Sequence, residues 1–304
     1  MSKLVIIDGN AILHRAFHAI PPLTTTSGEP INAVYGLISM LLRVIQELKP
    51  THIVVTFDEK EKTFRQKSLP SYQAQRPPLA DELSSQFEKA RTFLKSAKIP
   101  VYSKGGYEAD DVIGAIADRA VKKGQDIDEV VVITGDRDIL QLVDDKLGIK
   151  LFMPVGGLSN GKLFGESETL ERMGVGPKLI PDYKGLVGDA SDNYFGVPGV
   201  GPKTAITLLE KYKSFENVYK NIKEIPEKLK DKLEKGEESA KMSYHLATIV
   251  TDVPIDVDFD SMEKWSINSN DVLTLFQEYG FKTLTERIKT VGKKIEEEKQ
   301  GALF

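Results

Sequence analysis

The sequence predicts an α/β protein: a parallel sheet with helices on both faces, followed by an all-helical region. Three observations carry this. Short β-branched runs alternate with amphipathic stretches over the first 155 residues. After about residue 166 the strand signal stops and short helical segments follow one another. The chain has 304 residues of which 40% are apolar, enough for one large domain and a smaller one.

Taken in order, the strands are LVIID at 4–8, THIVVTF at 51–57, EVVVIT at 129–134 and GIKLFM at 148–153. Each is nearly continuous in apolar residues, the pattern of a strand buried on both faces. Amphipathic segments at about 32–48, 81–97 and 108–123 lie between them. The stretch from 59 to 80 interrupts the alternation with charges, aromatics and prolines and is too long for a plain connector, so it reads as a mobile functional loop. The α/β domain is expected over 1–165 and a helical region over 166–290, with GVPGVGP at 196–202 near its start. The remainder, 291–304, is charged and then abruptly apolar, and reads as a flexible tail.

Composition narrows the chemistry. The absence of cysteine excludes disulfides, thiol nucleophiles and thiolate zinc sites, and four histidines leave little for an imidazole site. Any metal is therefore expected to be held by oxygen. No apolar run reaches membrane-spanning length and the first strand is too short for a secretory signal, so a cytoplasmic protein is expected. The net charge of −4 speaks against a phosphate-rich partner until it is resolved locally. Between Glu59 and Lys104 there are ten basic and five acidic residues, while aspartates concentrate in short motifs elsewhere. Cations and carboxylates kept apart suit an enzyme that grips phosphate and binds metal.

The carboxylates are the strongest local signal. Asp8 closes the first strand, Asp58 follows the second, and Asp136 and Asp138 follow the third. In an open parallel sheet the carboxyl ends border one crevice, so these residues are expected to converge. Glu108, Asp110 and Asp111 open a helix, and Asp189 and Asp192 lie where the helical region begins. Singly, such residues read as turn or helix-start positions. Together they require a cation, because clustered like charges raise each other's proton affinity and destabilise the fold. An all-carboxylate set favours hard ions such as Mg²⁺ or Mn²⁺, and two of them roughly 4 Å apart would support in-line hydrolysis of a phosphodiester.

The motifs IDGN, TFDEK with FR, YxxxRPP, YEADDVIG, TGDRDILQLV, VGDASDN and GVPGVGPKTA occur in an order that resembles the 5′-nuclease domain of bacterial DNA polymerase I, over about residues 3–290. The resemblance implies a PIN-like parallel sheet and two Mg²⁺ ions surrounded by Asp8, Asp58, Glu108, Asp110, Asp111, Asp136, Asp138, Asp189 and Asp192. It implies that 59–80 forms an arch over the active site, with Arg65, Tyr72 and Arg76 meeting a single-stranded 5′ end: cations on phosphates, the ring on a base. The family's usual lysine after the tyrosine is Gln73 here, with Lys62 or Lys67 as substitutes, and Arg15 matches a further phosphate-contacting arginine. GVPGVGPKTAITLLEKY resembles a helix-hairpin-helix element, about 186–212, in which Gly199, Gly201 and Lys203 grip DNA phosphate and backbone carbonyls hold a K⁺ ion.

The implied function is a stand-alone, monomeric 5′ to 3′ exonuclease and 5′-flap endonuclease, acting on DNA and RNA primers in replication and repair. The last five residues resemble the Q-x-x-L-F peptide that bacterial sliding clamps bind, with Gln300, Leu303 and Phe304 as anchors. The alternative is a non-catalytic or weakly catalytic binder of branched DNA with the same fold, against which the intact carboxylate set argues. A small ribonuclease of related fold would lack the arch and the hairpin. A dinucleotide-binding enzyme is excluded because no G-x-G-x-x-G follows the first strand.

Overall fold

The computed structural model describes residues 2–122, 126–154 and 161–301. Six strands form one sheet: β1 Lys3–Asp8, β2 His52–Thr56, β3 Val101–Tyr102, β4 Glu129–Ile133, β5 Ile149–Pro154 and β6 Gly161–Phe164. Their order is β3-β2-β1-β4-β5-β6, parallel throughout except for β6, which runs antiparallel on the edge beside β5. The two-residue β3 and the edge strand β6 have no counterpart in the sequence reading, because neither carries an apolar run long enough to register. Register aligns Asp8 with Thr56 and Ile7 with Ile133, so the carboxyl ends of the three central strands finish level.

Alternate strand residues feed two cores. Val5, Ile7, Ile53, Val55, Val131 and Ile133 face one side, and Leu4, Ile6, Val54, Val130 and Val132 the other. The first face is covered by α1 Gly9–Ala19, α2 Asn32–Leu48 and α4 Asp81–Ser96. Between α2 and α4 lies the short α3 Phe64–Ser68. The second face is covered by α5 Ala109–Ala120 and by the helical region that follows β6. Full burial on both faces explains why these strands read as continuous apolar runs instead of alternating ones.

That region comprises α6 Glu166–Met173, α7 Ile180–Val187, a hairpin of β7 Gly188–Asp189 and β8 Tyr194–Phe195, then α8 Pro202–Tyr212, α9 Phe215–Lys220, α10 Glu227–Lys235 and α11 Glu237–Ala247. The chain then forms α12 Phe259–Met262, whose Met262 sits in the second core, and returns to the first face with α13 Asn270–Tyr279 and α14 Lys282–Gly301. Trp265, Phe276, Leu284 and Ile288 join the core under α2 and α4, so the last helices belong with the sheet and not with the helices before them. Helix α14 continues to Gly301, through most of the segment expected to be a flexible tail.

The segment 59–80 also departs from the mobile loop expected. It folds as α3 plus turns, and its residues hydrogen-bond to the β7–β8 hairpin: Gln73 N to Asp192 O at 2.9 Å, Asn193 Nδ2 to Ser71 O at 2.7 Å, and Gln75 Nε2 to Ala190 O at 3.2 Å. Backbone groups here find partners across the cleft, which is what gives a charged, proline-rich stretch a defined path.

Candidate metal centre

The level carboxyl ends of β1, β2 and β4 make the floor of the site. Asp8 ends β1 and caps α1, with Oδ1 accepting from Ala11 N at 2.9 Å and Oδ2 from Thr134 Oγ1 at 2.7 Å. A Cβ at Gly9 would collide with the Phe57 ring, so the glycine lets the ends of β1 and β2 approach. Asp58 sits beside this point: its backbone N–H donates to Asn10 Oδ1 at 3.0 Å and its carboxylate accepts from Ala109 N at 2.7 Å. Asp136 accepts from Asp138 N at 2.8 Å just after β4.

Asp8, Asp58, Glu108, Asp110, Asp136, Asp138 and Asp192 line one cavity of about 790 Å³. A second, of about 670 Å³, shares Asp136, Asp138 and Asp192 and adds Asp189. Asp138, Asp189 and Asp192 each offer an oxygen, all within 4.8 Å of one another. Eight of the nine expected acids thus border one continuous depression.

The ninth does not. Asp111 is fully buried, takes both guanidinium nitrogens of Arg65 at 2.7 and 2.9 Å, and accepts from Glu108 N at 3.0 Å and Val250 N at 2.9 Å. Its oxygens are spent inside the protein, so it is a counter-ion and helix cap, not a metal ligand. The same pairing corrects the reading of Arg65 as a phosphate contact. It is 2% exposed and also donates to the carbonyls of Leu246 at 2.7 Å and Thr248 at 2.9 Å, which leaves nothing for DNA. Tyr72 is corrected likewise: at 4% exposure its ring stacks on Tyr194 with centroids 6.2 Å apart, and its hydroxyl points to Glu108 at 3.3 Å and Asp192 at 3.4 Å.

Arg76 is accessible and bridges both cavities, 2.5 Å from Asp192. Gln73 donates to the same Asp192 oxygen at 3.2 Å from a backbone with φ of +55°. Neither Lys62 nor Lys67 lines either cavity, so the missing lysine has no replacement there. Arg15 lines the second cavity with Arg137 and Arg172, two cations the sequence reading did not single out. Gly199, Gly201 and Lys203 lie outside both cavities, on the loop after β8 and at the start of α8. Leu303 and Phe304, and the side chain of Gln300, lie outside the described residues.

The residue most clearly missed is Lys184. It is 7% exposed on α7 and its ammonium bonds Asp138 and, at 2.5 Å, Asp189. Its signal was its place five residues before Asp189 on the helix leading into the hairpin.

Electrostatics follow from this packing. Burial pushes the Asp8 carboxyl up to about 7, with Asp58 and Asp136 adding to it. Burial raises Glu108 to about 7 against the pull of Arg65, and Asp138 to about 6 against the pull of Lys184. Burial and then Asp136, Asp8, Glu108 and Asp58 hold Asp110 well above the usual carboxylate range. Asp189 goes the other way: burial raises it, but the Lys184 ammonium and Ser191 outweigh that. Carboxylates this reluctant to ionise together are a place where a multivalent cation gains energy.

A parallel sheet whose carboxyl edge gathers eight acids, six of them buried or half-buried, beside a fringe of arginines defines a nuclease. Family models agree: the 5′-3′ exonuclease N-terminal resolvase-like domain matches residues 3–174, and the 5′-3′ exonuclease C-terminal SAM fold matches residues 175–270. The chain belongs to the 5′-3′ exonuclease family. It is similar to the 5′-3′ exonuclease of Aquifex aeolicus, 37% identical over 308 residues and covering all of both chains. It is 41% identical to DNA polymerase I of Bacillus subtilis over 94% of this chain and 32% of that one, and so spans about a third of the polymerase relatives it matches. The fold is shared with bacteriophage T5 D15 flap endonuclease, with a TM-score of 0.66 at 19% identity over 97% of this chain and 99% of that one.

Proposed function

We propose that this protein hydrolyses DNA phosphodiester bonds at 5′ ends and 5′ flaps, and those of RNA primers, in replication and repair, using two Mg²⁺ or Mn²⁺ ions. The observation that carries the reading is the run of eight carboxylates along two adjoining cavities at the carboxyl edge of the sheet. The donor set fits hard divalent ions: it is all oxygen, and its acids resist ionising together until a cation joins them. Asp8, Asp58, Glu108, Asp110 and Asp136 would hold one ion and Asp138, Asp189 and Asp192 the other. When bound, such ions supply an activated water and neutralise the charge that develops on phosphate.

The chain's own groups do the positioning. Arg76 stands where the cavities meet and Arg15, Arg137 and Arg172 stand along the second, suited to holding the phosphates on either side of the scissile one. The arch segment closes the first cavity over Glu108 and Asp192 through Tyr72 and Gln73, so a strand entering there displaces these contacts. The loop 196–202 is read as a helix-hairpin-helix grip on duplex phosphate, with Gly199, Gly201 and Lys203 as its contacts. A K⁺ ion held by backbone carbonyls of this loop is part of the proposal; among those carbonyls, Gly199 O accepts from Lys232 Nζ at 3.0 Å.

The decisive experiment is cleavage of a 5′-labelled flap duplex with Mg²⁺, Mn²⁺ or EDTA, comparing wild type with Asp58→Ala and Asp136→Ala. Product is expected only with metal and is lost in both variants; cleavage that survives EDTA would overturn the reading. Binding of a sliding clamp through Gln300, Leu303 and Phe304 is part of the proposal, tested by clamp pull-down after deletion of residues 300–304. So are a cytoplasmic location and a monomeric state. Among the described residues no helix is long and apolar enough to cross a membrane.

A further inference from the structure

Tyr194 carries a buried hydroxyl that none of the contacts described above uses. The residue is 2% exposed, and its Oη has no hydrogen-bond partner among the described residues. A buried polar group in that position calls for a reason, because leaving it unbonded costs free energy. The ring is fixed: it stacks on Tyr72 with centroids 6.2 Å apart and packs with Leu246 and Ala247. Tyr194 is paired with Asp189 across the β7–β8 hairpin, so the two side chains leave the same face.

Lys184 reaches the same face, bonded to Asp189 and Asp138. Those carboxylates are the ammonium's partners among the described residues, which leaves one of its three N–H donors unspent. Burial pushes the Tyr194 phenol well above its ordinary range, and Lys184 is the charge that acts on it most strongly, ahead of Asp138 and Asp189. Lys184 also stands where a cation is expected: Asp138, Asp189 and Asp192 each offer an oxygen within 4.8 Å of the others, and the ammonium holds the first two residues. A divalent ion and an ammonium on the same oxygens repel each other. Lys184 is 7% exposed, so water is not at hand for a displaced ammonium, and a buried charge without a partner is strongly unfavourable. Tyr194 Oη is the one buried side-chain oxygen without a partner among the described residues.

We propose that Tyr194 is a positioning residue for the second cation: its hydroxyl receives the Lys184 ammonium when a divalent ion takes Asp138, Asp189 and Asp192. The exchange keeps the buried ammonium bonded and releases the acids. A monovalent ion brings no more charge than the ammonium it would displace, so the exchange favours divalent ions. This inference rests on the reading of the three acids as a metal site.

The test is Mn²⁺ binding to the whole protein without DNA, followed by the electron paramagnetic resonance of free Mn²⁺. Asp189→Ala identifies the binding event that belongs to the second site. Tyr194→Phe keeps the ring on Tyr72 and removes the acceptor; it is expected to weaken that event by roughly tenfold to a hundredfold, the worth of one hydrogen bond to a charged group, and to leave the other event unchanged. The double variant Lys184→Met with Tyr194→Phe is expected to bind as tightly as Lys184→Met alone, because no ammonium is left to receive. Unchanged affinity in Tyr194→Phe overturns the proposal. So does an equal loss with and without Lys184, which would assign the hydroxyl to the ion's own water shell. If wild type shows no Asp189-dependent binding, the metal-site reading fails and this inference with it; if that binding is present and Tyr194→Phe leaves it unchanged, only this inference fails. In EDTA, Tyr194→Phe is expected to melt no lower than wild type, since the hydroxyl is unbonded there; a lower melting temperature would show that it already has a partner and would overturn the proposal.

Discussion

Arg65 and Asp111 form a two-pronged ion pair, 2.7 and 2.9 Å, in which neither side chain is more than 3% exposed. The pair ties α3 at the base of the arch to the first turn of α5, and Arg65 also reaches two carbonyls at the end of α11. It is the joint between three elements that each carry part of the site.

Removing one partner leaves a buried charge without its counter-ion. Arg65→Ala and Asp111→Ala are each expected to lower unfolding free energy by about 3–5 kcal/mol. Asp110→Ala is expected to do the opposite in EDTA, slightly raising stability while abolishing divalent-ion affinity. Urea unfolding and calorimetric Mn²⁺ titration check both. Loss of stability in Asp110→Ala without loss of metal binding would reverse the assignment of the two neighbours.

Lys184 neutralises Asp138 and Asp189. Lys184→Met leaves those acids close together with no positive charge among them, so the metal-free protein is expected to lose about 3 kcal/mol. Divalent ions should bind more tightly and restore most of the loss, since they no longer compete with an ammonium. Melting curves with and without Mg²⁺ measure this; a variant that melts like wild type in EDTA contradicts it.

Stability should depend on pH through the raised carboxyls. Asp8 and Glu108 at about 7 and Asp138 at about 6 all lie above their ordinary values. Between those ordinary values near 4 and the raised ones, the folded state binds more protons than the unfolded chain. The contribution of these groups therefore falls as pH rises from about 4 to 7 and is fully lost above 7. Because Mg²⁺ removes the repulsion, the rise in melting temperature that it produces should grow from pH 5 to pH 8. A gain that is flat across that range would show that these acids are not where the ion binds.

Asp192 receives Arg76, Gln73 and Tyr72 from the arch. A cation at Asp138, Asp189 and Asp192 competes for the same oxygens, so adding Mn²⁺ should loosen residues 71–76. Hydrogen exchange of the Gln73 amide, which bonds Asp192 O, is expected to speed up with Mn²⁺ in wild type. In Asp192→Ala it should already be fast in EDTA. Exchange unaffected by either change would mean that the arch is held by other contacts.

Much of this architecture was legible in the residues. The apolar runs at 4–8, 51–57, 129–134 and 148–153 correspond to β1, β2, β4 and β5, because strands buried on both faces must be apolar throughout. Helix α1 went unread because it begins directly after β1, where Asp8, Gly9 and Asn10 read as a turn while Asp8 in fact caps the helix and serves the site. The two-residue β3 is recruited by its neighbour and carries no pattern of its own.

By itself the sequence determined the chemistry: without cysteine and with clustered aspartates at strand ends, only oxygen donors for hard cations were available. Tertiary structure alone decided which acids keep that role. Asp110 and Asp111 are adjacent and chemically identical, yet one faces the cavity and the other is taken by Arg65, 46 positions away, and Val250, 139 positions away. A charge removed from water must find a partner, and which partner it finds depends on how distant segments pack. No local pattern of residues records that.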